Sequence, residues 1–205
     1  MRILLLSDLH GVDYFTWQSF LKLDKCSFDI IITLGDIDIM FLQSLVENFS
    51  EKEIVGVHGN HDYNGDLEYF NINNIHGKST SKDGVVISGL EGCLPYKKSL
   101  LLHADEDIEG TIKNIDPNTN IIISHNSPFG IHDKEGIVHR GYKALREFIE
   151  KNNPEFCIHG HQHQNIITEY GKTKIIGVYG GIVLDTETNE IRRVINLEEL
   201  GGVLY

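Results

Sequence analysis

Gly59-Asn60-His61-Asp62 follows directly on Val55-Gly56-Val57-His58, and that junction decides how the chain is read. Val55 to His58 has the apolar character of the end of a short strand, and a glycine straight after it lets the backbone turn sharply. The polar residues that follow then stand at a strand's carboxyl edge, where open α/β sheets keep their ligands. Asn60 offers a neutral amide oxygen, His61 a proton near neutral pH, and Asp62 a carboxylate that can fix the histidine's tautomer. A polar turn leaving a strand needs no function to explain it. The rest of the chain decides between the two readings.

Upstream, the same pattern occurs twice. Ile3 to Leu6 is a continuous apolar run, as in a strand buried on both faces, and Ser7-Asp8-Leu9-His10-Gly11 breaks it. In extended chain Asp8 and His10 point to one side, a spacing that lets a carboxylate and an imidazole grip one ion. Phe28 to Leu34 is a second buried strand, ending in Gly35-Asp36. Between these tips the spacing turns helical. Asp13 caps a predicted helix whose apolar face is Phe15, Trp17, Phe20, Leu21 and Leu23, and Ile39 to Phe49 repeats the period through Met40, Phe41, Leu45 and Val46.

Downstream, Ser79 to Asp83 reads as a turn before the strand Val85 to Leu90, and Glu91 to Gly110 as a long loop giving way to a short helix. Asn120 to Ile123 is a buried strand with Ser124-His125-Asn126-Ser127-Pro128 at its tip. Gly141 to Lys151 is a helix with Ala144, Leu145, Phe148 and Ile149 inward. Glu155 to Ile158 is a strand with Gly160-His161-Gln162-His163 at its tip. Thr173 to Val178, Gly181 to Leu184 and Glu190 to Leu197 are the last strands, the final two joined by a turn. Strands alternating with helices give an α/β class, and 205 residues suit a single domain over 1–205.

Composition narrows the function. A chain with 40% hydrophobic and 23% charged residues is globular rather than disordered. A formal net charge of −12 disfavours long nucleic acids and anionic membranes, whose phosphates need Lys or Arg. Cys26, Cys93 and Cys157 are an odd number without C-x-x-C spacing, so neither a disulfide framework nor a structural zinc site is indicated, and a cytoplasmic location fits. The opening apolar run is too short for a signal peptide, and no segment reaches membrane-spanning length.

Five strand tips therefore carry Asp8 with His10, Asp36, Asn60 with His61, His125, and His161 with His163. Without His61 they supply two carboxylates, an amide and four imidazoles, enough for two metal ions. Such mixed nitrogen and oxygen donors suit Mn²⁺, Fe²⁺, Zn²⁺, Co²⁺ or Ni²⁺, whereas Mg²⁺ and Ca²⁺ prefer nearly all oxygen.

With these blocks in this order, the chain resembles the calcineurin-like metallophosphoesterases, through D-x-H at Asp8 and His10, G-D at Gly35-Asp36, G-N-H-D from Gly59 to Asp62, His125, and G-H-x-H from Gly160 to His163. The segment from Ser124 to His163 is similar to a bacterial and archaeal branch of small phosphodiesterases. The resemblance implies two mixed β-sheets packed face to face with helices outside. It assigns Asp8, His10 and His163 to one metal, Asn60, His125 and His161 to the other, and Asp36 to the bridge, with manganese the foremost ion. His61 then faces the substrate phosphate, oriented by Asp62. The reaction implied is hydrolysis of a small phosphodiester by a hydroxide held between the metals, with a phosphomonoesterase or nuclease as the alternative, and a nucleotide among the admissible substrates. An interaction scaffold that kept the fold and lost catalysis is the non-enzymatic alternative. Many members read G-D-x-x-D, whereas here the second acid is Asp38, two residues after Asp36.

Six histidines remain: 58, 76, 103, 132, 139 and 159. His58 and His159 precede motif glycines on strands and read as packing or supporting residues. His139-Arg140 precedes the helix near Gly141, and a guanidinium beside a helix start suits a substrate phosphate. Lys97-Lys98 reads as an exposed face and Cys93 as a small buried apolar residue. Pairing of the chain with itself stays open.

Overall fold

A computed structural model describes residues 1–197. The chain runs β1 (Arg2–Ser7), α1 (Tyr14–Leu21), a 3-10 turn (Lys25–Ser27), β2 (Ile30–Thr33), α2 (Ile39–Asn48), β3 (Glu53–Gly56), α3 (Asp66–Tyr69), β4 (Asn73–Asn74), β5 (Ser79–Lys82) and β6 (Val85–Leu90). It continues with α4 (Asp105–Ile112), β7 (Ile121–Ser124), α5 (Lys143–Asn152), β8 (Phe156–His159), β9 (Ile166–Tyr170), β10 (Thr173–Gly177), β11 (Gly180–Asp185) and β12 (Ile191–Asn196).

Two mixed six-stranded sheets form, in the orders β12-β11-β1-β2-β3-β4 and β5-β6-β7-β8-β10-β9. In the first, β1, β2, β3 and β4 are parallel, and β11 closes antiparallel on β1. In the second, β6, β7, β8 and β10 are parallel, with β5 and β9 antiparallel at the edges.

The period of two along each strand sorts its side chains between layers. Ile3 and Leu5 of β1, Ile30 and Ile32 of β2, Ile121 and Ile123 of β7, and Phe156 and Ile158 of β8 share one buried cluster between the sheets. The intervening Leu4, Leu6 and Ile31 face outward, against Phe20 of α1 and Phe41 and Leu45 of α2. On the other side Ile122 and Cys157 meet Leu145, Phe148 and Ile149 of α5 and Ile108 of α4. Strands covered on both faces must be apolar throughout, which is why β2 reads Ile-Ile-Ile-Thr and β7 Ile-Ile-Ile-Ser.

Three expectations change. Ser79 to Lys82 is a strand rather than a turn, paired antiparallel with β6, and Ile166 to Tyr170 is a strand the sequence reading left out. Phe15 and Met40, assigned to buried helix faces, are exposed. Each lies in the first turn of its helix, beyond the sheet's cover. The single-domain reading over 1–205 extends to residues 198–205, which lie outside the described residues. Among the described residues, no helix is long and apolar enough to cross a membrane.

Candidate metal centre

Parallel strands put their carboxyl ends on one edge, and that edge collects the polar tips. Close backbone contact between tips is built in. The Asp8 amide donates to Gly35 O at 3.1 Å, and the Gly160 amide donates to His125 O at 3.0 Å. Gly35 has φ +93°, and a Cβ there would fall on the backbone nitrogen of Gly59, so only glycine lets the β2 and β3 tips meet.

Two groups of donors result. Asp8, His10 and His163 form one, and Asp36, His125 and His161 the other; within each, one donor atom from every residue lies within 4.8 Å of the others. Asn60 joins the second group, its Oδ1 being 2.9 Å from His125 Nε2. The groups are tied together where the His161 amide donates to Asp8 Oδ2 at 3.0 Å. Asp8, Asp36, His161 and His163 have φ between 50° and 64°, the left-handed region that non-glycine residues rarely occupy. Four strained residues facing one another are a mark of a functional site rather than of packing.

Which nitrogen of each ring carries a proton tests the fit to metals. His125 Nδ1 donates to Leu34 O at 2.8 Å, leaving Nε2 toward Asp36 and Asn60. His161 Nε2 donates to Val138 O at 2.7 Å, leaving Nδ1 for the cluster. Holding the far N–H on a carbonyl is how proteins orient a metal-binding imidazole. Asp8 Oδ1 and His10 Nε2 are buried without a hydrogen-bond partner, a costly arrangement for groups that coordinate nothing. These residues fit a pair of divalent ions.

The charges agree. Burial opposes ionisation of Asp8 and Asp36, but neighbouring histidines outweigh it and hold both carboxyls below the usual range. Burial pulls His125 down; the charge and hydrogen bond of Asp36 overcome it and raise the ring to about 9. Burial and the charge of His125 push His161 down to about 4. His163 is raised, chiefly by the Asp8 carboxylate, whose Oδ1 lies 3.4 Å from its Nε2.

His61 stands at the mouth, exposed, with its ring centroid 5.4 Å from that of His10. Its amide donates to Asp36 Oδ1 at 2.8 Å. Asp62, expected to orient His61, makes three contacts with backbone amides. Its Oδ2 accepts from the amides of Gly59 (2.7 Å) and Asp36 (3.0 Å), and its Oδ1 from that of Ile37 (3.0 Å). Asp62 thus clamps the β2 tip to the β3 tip through backbone. Asp38 accepts from the Met40 amide at 2.8 Å and serves as N-cap of α2. His139 lies beside the second group, 5.1 Å between its ring and that of His161. His139 Nδ1 and Arg140 Nε are buried without partners.

Several supporting residues escaped the sequence reading. Ser7 Oγ donates to Asp8 Oδ2 at 2.7 Å, and Tyr96 OH accepts from Asn60 Nδ2 at 3.1 Å, which turns the amide oxygen toward His125. Glu91 gathers three histidines: His58 Nδ1 at 3.2 Å, His103 Nε2 at 3.2 Å and His76 Nε2 at 3.8 Å. His76, Glu91 and His103 have metal-like spacing. However, the Glu91 amide donates to His76 Nδ1 at 3.0 Å, which leaves the proton on Nε2, the atom that would have to coordinate. The test that admits His125 and His161 thus rejects His76, and the group is a hydrogen-bonded brace behind the Asn60 turn.

The model of the calcineurin-like phosphoesterase family matches residues 1–165. The chain belongs to that family. Among solved structures, a hydrolase of phosphopantetheinyl groups from Mycobacterium tuberculosis is 12% identical, over 87% of this chain and 89% of that one, with a TM-score of 0.64. A novel archaeal phosphodiesterase is 17% identical, over 94% and 98%, at 0.53. The E. coli phosphoesterase Yfce is 14% identical, over 96% and 100%, at 0.50. At such identities the likeness is one of fold. A comparison with curated proteins returns no match. As a calcineurin-like phosphoesterase, the chain is a phosphoric ester hydrolase of a family that uses divalent metals.

Proposed function

We propose that the protein is a phosphodiesterase acting on a small phosphodiester, with Asp8, His10 and His163 holding one divalent ion, Asn60, His125 and His161 the other, and Asp36 shared between them. The observation that carries this reading is the pair of neighbouring donor groups, in the second of which Leu34 O and Val138 O fix the rings of His125 and His161. When bound, such a pair of ions supplies a hydroxide at neutral pH and positive charge for phosphoryl oxygens. Manganese is the ion we expect, and the three free cysteines support the cytoplasm as the place of action.

The chain's own residues do the rest. Asp8 and Asp36 contribute two negative charges against four positive, so the pocket of an acidic protein still attracts a phosphate anion. The buried, unpartnered Arg140 Nε and His139 Nδ1 support a role for that pair in receiving the phosphate. His61, anchored through its amide to Asp36, is placed to hand a proton to the departing oxygen. Partial desolvation at the mouth lowers its pKa, and an arriving anion acts in the opposite sense. A diester's alkoxide needs that proton, and this favours the diester reading. Strands β9 to β12, past residue 165, complete both sheets and support one domain.

Metal analysis together with cleavage of bis(4-nitrophenyl) phosphate and 4-nitrophenyl phosphate in Mn²⁺ tests the proposal. Two metal equivalents and faster diester cleavage are expected. Failure to cleave any phosphoester under any divalent metal would leave a scaffold as the remaining reading.

A further inference from the structure

Beside the metal groups lies a cavity of about 150 Å³, with His10 and His61 at one end and Ile37, Ile39 and Tyr63 among its walls. A cavity of roughly this size has room for one benzene-sized ring. Three carboxylates border it as well, Asp38, Asp62 and Asp66. All are pinned by backbone: Asp62 accepts through both oxygens, Asp38 Oδ1 accepts from the Met40 amide at 2.8 Å, and Asp66 Oδ2 from the Tyr63 amide at 3.1 Å. Asp38 and Asp66 each keep a second oxygen to accept from a ligand.

Exposed apolar side chains occur on the cavity wall and on the helices that leave the same strand tips. Tyr63 is 77% exposed and Ile39 46%. Tyr14, Phe15 and Met40, also exposed, occupy the first turns of α1 and α2, the helices that leave the β1 and β2 tips. Large side chains left in water at a site's mouth are the usual sign of a ligand with an apolar part. Among the described residues, no lysine or arginine lines the cavity; Lys97 acts on His61 through its charge, and other cations lie where His139 neighbours His161 and Lys134 Nζ donates to Gln162 O at 2.8 Å.

Building on the phosphodiesterase reading, we propose that this cavity receives the leaving arm of the substrate, and that the arm is a flat, mainly apolar ring carrying hydrogen-bond donors and no negative charge. An anionic arm would meet Asp38 and Asp66, whereas a ring amide or amine would find their free oxygens. The phosphoryl group then lies between the cavity and the cationic side, with the bond to the arm next to His61. In the reaction the P–O bond to the arm breaks and the oxygen of water forms the new one. The electron pair leaves on the arm's oxygen, which takes its proton by way of His61, so the products are the ring alcohol and a phosphomonoester.

Methyl 4-carbamoylphenyl phosphate and methyl 4-carboxyphenyl phosphate differ mainly in that charge. The manganese-loaded enzyme should cleave the carbamoyl compound with kcat/KM at least tenfold higher. Asp38→Asn should shrink the ratio severalfold, and Tyr63→Ala should raise KM for the carbamoyl compound. The ratio within one variant is independent of the fraction folded. In the metal-free protein, saturation-transfer NMR should detect 4-hydroxybenzamide more strongly than 4-hydroxybenzoate, and Tyr63→Ala should abolish the difference. Equal rates for the two esters, or equal NMR signals unmoved by these substitutions, would overturn the assignment of the arm. Absence of cleavage of any diester with any metal would instead overturn the phosphodiesterase reading.

Discussion

His125 Nε2 lies 3.4 Å from Asp36 Oδ2, with both side chains buried and His125 Nδ1 already donating to Leu34 O. Without metal, this imidazole stays protonated to about pH 9, and a metal can coordinate Nε2 only by displacing that proton. Asp8 and Asp36 have no proton to give at neutral pH, and His161 is neutral, whereas His163 is raised and adds to the effect. Metal affinity should therefore rise about tenfold or more per pH unit from pH 6.5 toward 9, then flatten. Chelator competition at pH 6.5, 7.5 and 8.5 measures it, and a flat profile would contradict the assignment. The metal-free protein should behave in the opposite way. A histidine raised above its unfolded pKa stabilises fully below about 6.5, and its contribution, on the order of 3 kcal/mol, is lost as pH rises through 9.

Asp62→Ala removes the acceptor for the amides of Gly59, Asp36 and Ile37 at once. Burial and the charge of Asp36 push this carboxyl up to about 6, so the clamp is held against an electrostatic penalty. Leaving donors unmet costs about 1–3 kcal/mol each where they stay dry, and some will find water. Loss of about 3 kcal/mol in denaturant unfolding is expected, with weakened metal binding, because Asp36 and Asn60 sit on the two turns the clamp joins. Unchanged metal affinity would return Asp62 to a role at the His61 ring.

The tips were legible because each ends an apolar run with a chemically distinct residue. Nothing in β5, Ser-Thr-Ser-Lys, announces a strand: it is an edge strand with alternating exposure, paired on one side only, so its sequence is free to be polar. By contrast β9, Ile-Ile-Thr-Glu-Tyr, carries strand-favouring residues that the sequence reading passed over. The brace at Glu91 was hidden for another reason. His58 lies 33 residues from Glu91 in the chain, and no local spacing predicts the pair. Asp38, which departs from the G-D-x-x-D spacing, caps α2 by accepting from the Met40 amide, an ordinary helix start. Cys93 is buried with its thiol pushed up to about 12 by desolvation, as expected of a packing residue.

Gly59→Ala tests the closeness of the tips. A Cβ at Gly59 would fall on Asp36 Oδ1, the atom that receives the His61 amide. Asp36 cannot stay in place, so the variant should bind fewer than two metals and lose activity at least a hundredfold. Gly110→Ala serves as the comparison. That glycine lies inside α4 with open space around it, and the substitution should stabilise by about 0.5–1 kcal/mol with metals retained. Similar metal content in both variants would mean that the tips tolerate a gap.

His61→Ala separates proton transfer from metal binding. The ring is exposed at the mouth, and the anchor to Asp36 is made by the backbone amide, which alanine keeps. Stability should change by less than about 1 kcal/mol, and elemental analysis should still find two metals. Turnover should fall by roughly 10²–10⁴, the usual worth of a positioned acid. The size of the fall should depend on the leaving group. A nitrophenolate departs without help, whereas an alkoxide cannot, so the defect should widen steadily as the alcohol becomes a weaker acid. A series of diesters sharing one retained arm measures that trend against the wild type. If the defect is the same for every leaving group, His61 stabilises charge on the phosphoryl oxygens rather than delivering a proton. If there is no defect at all in a fully metallated variant, the ring takes no part in the reaction.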